Sequence, residues 1–130
     1  MIKSINLDPE AGRWYRKRLS SVDAVQTVLQ NPTGKPCVIT RCVVHTITGD
    51  SGKTIDVGVT TGSATTTSDT LVDGGSLTSS GSVLDNIKNK GSNGLEVAYM
   101  AAGAWVTADI SAANSAVVDV YVQLKTLYSA

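Results

Sequence analysis

The chain has 130 residues, 42% of them hydrophobic and 17% charged, and its eleven Lys/Arg balance its eleven Asp/Glu. One domain of this length buries roughly two-thirds of its unfolded surface. Zero net charge excludes a global pull towards nucleic acid or an anionic membrane, and low charge density suits a protein that lives in an assembly.

Phe is absent, so the core must be built from Val, Ile, Leu and Ala. Such a thin core invites completion by symmetric subunit contacts. No stretch approaches the roughly 20 apolar residues of a membrane span. The first residues carry no apolar run of the secretory type, so synthesis and assembly in a cytoplasm are expected.

Residues 1–20 read as an N-terminal arm. Asp8 and Pro9 suit the cap and first position of a short helix, which Gly12 then weakens. Arg13-Trp14-Tyr15-Arg16-Lys17-Arg18 comes next, the one dense charge cluster of the chain. Three readings stand for it. The cations could hold phosphates while the rings stack on bases. They could form a solvated edge with the rings folded onto the body. They could dock on an acidic protein surface, since Arg, Trp and Tyr are enriched at binding hot spots.

Residues 21–130 read as a single β-sandwich domain. Residues 20–30 fit both a helical stripe (Val22, Val25, Leu29) and a strand side (Val22, Ala24, Gln26, Val28). Strand is favoured because a dense turn signal, Asn31-Pro32-Thr33-Gly34-Lys35-Pro36, comes directly after it. That turn is expected to close a hairpin with the next strand.

Residues 36–48 form the longest strand candidate. Cys37, Ile39, Arg41, Val43, His45 and Ile47 would face one way, and Val38, Thr40, Cys42, Val44 and Thr46 the other. Apolar residues on both sides predict a strand covered on both faces. On this pattern Cys37 and Cys42 point apart, roughly 17 Å from each other, too far for a disulfide. Two reduced core thiols are expected, and their spacing matches neither a redox pair nor a zinc knuckle.

Gly49-Asp50-Ser51-Gly52 matches a serine-protease signature only as a string, because nothing orders Ser51, His45 and an acid into a triad. Residues 54–60 alternate, with Ile55, Val57 and Val59 inward, and should pair with the preceding strand. Residues 61–69 are a Thr/Ser/Gly/Ala loop. Leu71 and Val72 give a short buried contact, and residues 76–93 are mostly loop anchored by Val83, Leu84 and Ile87. Loops of this length in a compact domain are usually functional.

Leu95, Val97 and Tyr99 alternate with Glu96 and Ala98. In the next strand Ala104, Val106, Ala108 and Ile110 oppose Trp105, Thr107 and Asp109. Trp105 is then either a partner contact or covered by a loop. Residues 116–125 carry the cleanest pattern of all: Val118, Val120, Val122 and Leu124 alternate with Asp119, Tyr121, Gln123 and Lys125, as in a central core strand.

The order of residues 34–41, 54–62, 105–111 and 116–124 resembles small virion proteins of tailed bacteriophages, of the capsid decoration (cement) type. The resemblance implies an all-β fold, an antiparallel β-sandwich or jelly-roll-like barrel with an N-terminal arm. It implies a non-enzymatic protein of the virion surface that binds the major capsid protein, stabilises the lattice and forms a homo-oligomer, a trimer being favoured. Partner contacts would fall on Arg13, Trp14, Tyr15, Arg16, Lys17, Arg18 and Trp105. No cofactor, metal, membrane or nucleic acid is expected. The alternative is a receptor- or glycan-binding virion module, similar to a head fibre, with Trp105 or Tyr121 against sugar. A hydrolase built on Asp56, Asp109 and Asp119 has no supporting spacing, and one histidine with separated thiols offers too few metal ligands.

Overall fold

The computed structural model describes residues 12–22, 24–112 and 114–127. All its regular structure is strand: β1 (Arg13–Ser20), β2 (Gln26–Gln30), β3 (Cys37–Thr48), β4 (Thr54–Thr60), β5 (Val72–Ser76), β6 (Val83–Asp85), β7 (Ala98–Met100), β8 (Trp105–Ile110) and β9 (Val117–Thr126). Sheet A runs β1-β9-β3-β6, with β7 also on β3; sheet B runs β2-β8-β4-β5. Every pairing is antiparallel. The pairs nest, β1 with β9, β2 with β8, β3 with β6 and β4 with β5, in an antiparallel β-sandwich. The two sheets do not close into a barrel.

The core lies between the sheets. Sheet A contributes Ile39, Val44, Val118, Val120 and Val122, and sheet B contributes Ile55, Val57, Val106 and Ile110, all at most 1% exposed. Burying each such aliphatic side chain stabilises the fold by about 1.5–3 kcal/mol before chain entropy is counted. The apolar side expected for β9 and β8 is buried throughout, but on the opposite side Asp119 and Thr107 are buried as well.

The expected local hairpins do not form. Residues 31–36 carry the chain from sheet B to sheet A, residues 49–53 carry it back, and β8 and β9 lie in different sheets. So β4 pairs with β8 and β5, not with β3. Turn chemistry marks where a chain reverses, but the sheet it enters depends on which apolar face needs covering.

The long strand β3 is also corrected. Its register shifts between Ile39 and Arg41, a β-bulge at Thr40. The buried side therefore changes phase, from Cys37 and Ile39 to Cys42, Val44 and Thr46. The strand carries apolar residues on both sides of a simple alternation because its inner side switches halfway. Both thiols point into the core as free, buried cysteines. Burial, with the charge of Asp85 adding, pushes the Cys42 thiol up to about 12.

The arm boundary moves too. Residues 13–20 form the edge strand β1, paired along its whole length with β9. The possible helix start at Asp8 and Pro9 lies outside the described residues.

Candidate docking surface

Alternation along β1 splits the cationic cluster into two sets. Leu19 is buried and Tyr15 packs against the core, so the side that also carries Arg13 and Lys17 turns inward. Trp14, Arg16 and Arg18 stand on the outer side of sheet A. Trp14 is 48% exposed. Tyr15 is thus a half-buried packing residue, while Arg13 and Lys17 are exposed at the edge.

The outer side of sheet A is organised around Asp119. Its cross-strand neighbours are Arg18 on β1 and His45 on β3. Arg18 Nε donates to Oδ1 at 2.8 Å and Nη2 to Oδ2 at 2.9 Å. Arg16 Nη1 lies 3.7 Å from Oδ2. These bonds from Arg18, then the charges of Arg18, Arg16 and His45, hold the Asp119 carboxyl below the usual carboxylate range against the opposing effect of burial. A second pair joins Arg41 Nη2 to Asp85 Oδ2 at 3.2 Å. The backbone N–H groups of Lys88 and Ile87, with Arg41, hold Asp85 low as well.

Both clusters present their cationic ends. The Arg16, Arg18 and Arg41 side chains are 56%, 52% and 40% exposed, against 4% for Asp119 and 14% for Asp85. Around them stand apolar groups in the open: Val83 and Tyr99, at the far edge of the sheet, are 61% and 59% exposed. Along residues 95–100 the larger apolar set turns outward. Ala98 and Met100 are buried beside Ile39 and Cys37, and Leu95, Val97 and Tyr99 face solvent. Val83 and Ile87, expected as anchors, are exposed, and only Leu84 is buried. Period two shows which residues share a side; it does not show which side is inner when both carry apolar groups.

The outer side of sheet B differs, because residues 61–70 lie across it. Thr107 Oγ1 donates to Thr66 O at 2.8 Å, and Thr27 Oγ1 to Ala64 O at 2.7 Å. Thr67 Oγ1 donates to Asp109 Oδ2 at 3.1 Å. A Cβ at Gly58 would overlap the Ser68 hydroxyl and the Thr70 backbone nitrogen, so the roof needs a glycine beneath it. A shallow cavity of about 520 Å³ opens at this loop, lined by Val59, Gly62 and the Thr and Ser residues at 60, 61, 63 and 66–68. Trp105 is half-buried at the end of β8, between Gln30 and Thr60. It lies in the other sheet from Trp14, so the two tryptophans do not form one patch.

Carboxylates collect on this second side. Asp56 and Asp109 are direct cross-strand partners. Burial raises Asp56 above the usual carboxylate range, and Asp73, Asp69 and Asp109 add to it, against a 2.7 Å bond from Gly74 N. Asp119 stands on the other sheet, so the three carboxylates weighed for a hydrolase do not converge. His45 faces Asp119, whereas Ser51 is in the β3–β4 turn, so no triad assembles. Among the described residues no cluster of three His, Cys, Asp or Glu is placed to hold a metal ion. No helix among them is long and apolar enough to cross a membrane.

No family model, no curated protein and no solved structure matches this chain.

Proposed function

We propose that this chain is a non-enzymatic structural protein of a tailed-phage virion that binds the outside of the capsid and stabilises its lattice. The observation that supports the reading is the contrast between the two sheets. Sheet B is roofed by its own loop, while sheet A leaves Trp14, Val83 and Tyr99 in solvent beside exposed arginines. An uncovered, aromatic and cationic side on a stiff sandwich suits non-covalent clamping, with ordering costs kept low by a pre-formed surface. In this reading the major capsid protein is the partner, the chain acts as a homo-oligomer with a trimer favoured, and it resides on the virion surface.

The test is co-sedimentation with empty capsids of the encoding phage, with the mass of the free protein measured in parallel. Retention on the shell and a raised shell melting temperature support the proposal. A protein that stays in the supernatant at saturating concentration removes it.

A second reading, a glycan-binding virion module, draws on Trp105, the cross-strand neighbour of Thr60, which lines the shallow cavity at residues 59–68. A glycan array probed with the intact protein tests it, and an absence of hits removes it.

A further inference from the structure

We infer that the outer side of sheet A is the docking surface, and that its occupant is an acidic protein surface carrying apolar side chains. The inference rests on the docking role proposed above and names its place and its partner chemistry.

Charge is the first argument. The sequence is neutral, but its folded faces are not. The outer side of sheet A carries Arg16, Arg18, Arg41 and Lys125 against Asp85 and Asp119, and Arg13 and Lys17 stand exposed at its β1 edge. Both acids are sunk beneath arginines that remain 40–56% exposed. The strands of sheet B carry Asp56, Asp73 and Asp109 and no cation. The field above sheet A is therefore positive, and a partner there gains by being acidic.

The apolar groups are the second argument. Trp14 on β1 and Tyr99 on β7 stand three strand spacings apart, roughly 14 Å. Tyr121 and Val43 lie in register between the edges, opposite Arg16 and Asp85. Aromatic anchors flanked by arginines are the composition of a protein hot spot. Exposed Val83 and Val97 have no role on a phosphate backbone, which disfavours nucleic acid. A symmetric contact between two copies of this side would set arginine against arginine, which disfavours self-pairing.

Three immobilised probes separate these occupants: a random glutamate–tyrosine copolymer, polyglutamate and duplex DNA, at low salt. Sedimentation velocity on the free protein tests self-pairing. Tighter retention on the copolymer than on either other probe supports the inference. So does a loss of about tenfold or more in that retention on Trp14→Ala or Arg16→Glu, with Lys53→Glu unchanged as the charge-matched control. Thermal melts confirm that each variant is folded. Equal retention on DNA or polyglutamate, a dimer that Arg16→Glu abolishes, or variants that bind as the parent does would overturn it. Capsid binding undisturbed by Trp14→Ala and Arg16→Glu removes this surface and leaves the virion role. Copolymer binding with no capsid binding removes the virion role and leaves the surface.

Discussion

Arg18 and Asp119 form a two-bond ion pair across β1 and β9 in which the carboxylate is buried and the guanidinium is half in water. The pair fastens the edge strand to the centre of sheet A and sets the sign of the surface above it. Removing the cation strands a buried charge. Arg18→Met is expected to lower the denaturant midpoint, by less if Arg16 closes on Asp119. Denaturant melts measure this, and an unchanged midpoint would show that the edge strand is held by its backbone ladder alone.

Asp119 and Asp85 also set the acid limit. Both carboxyls titrate lower in the folded chain than in the unfolded one. As pH falls, the unfolded chain takes up these protons first. Their contribution is therefore complete above the ordinary carboxylate value, about 3.9, and is lost as pH falls below it. Asp119→Asn should flatten the acid limb of a stability–pH curve; a limb of the same slope would assign acid unfolding elsewhere.

Asp56 works in the opposite direction. Its carboxyl is raised in the folded state, so its ionisation weakens the fold as pH climbs through the carboxylate range. Asp56→Asn keeps an acceptor for Gly74 N and removes the repulsion with Asp109. Relief of its partial burial and of this repulsion, both screened by solvent at this partly exposed site, is expected to stabilise the fold slightly at neutral pH, the gain vanishing near pH 3. Paired melts at the two pH values decide it.

Thr46 is fully buried and its hydroxyl has no hydrogen-bond partner among the described residues. Thr46→Val keeps the shape and removes the unsatisfied group, so about 1 kcal/mol of stabilisation is expected. A destabilised variant would reveal a partner for the hydroxyl in solution, such as a buried water.

Asn86 is the buried clasp of the long segment between β6 and β7. Its Oδ1 accepts from Cys42 N at 2.8 Å, and its Nδ2 donates to Leu95 O and Glu96 O at 2.9 Å. Asn86→Ala is expected to cost about 2–4 kcal/mol by leaving these groups unpaired. Hydrogen exchange should quicken at Cys42, whose N–H loses its acceptor. The same exchange rates in both proteins would place the clasp elsewhere.

Strand positions were largely legible in the chain. The alternation of β4, β8 and β9 arises from burying one face of a pleated strand, a short-range constraint written residue by residue. The Arg13–Arg18 cluster was equally visible, as was its aromatic content. Its division into Trp14, Arg16 and Arg18 outward and Arg13, Tyr15 and Lys17 on the other side was not, because an arm has no sides until it joins a sheet. Asn86 gave no signal, since an isolated asparagine in a Ser/Gly/Asn loop reads as turn chemistry.

Composition and period two by themselves determined an all-β chain with a Val/Ile/Leu core. Tertiary structure alone decided that successive strands cross between sheets, that the bulge at Thr40 turns both thiols inward, and that Val83 and Tyr99 face water. These outcomes depend on contacts between residues far apart in sequence, where the free energy of covering one sheet with another outweighs any local preference of a turn.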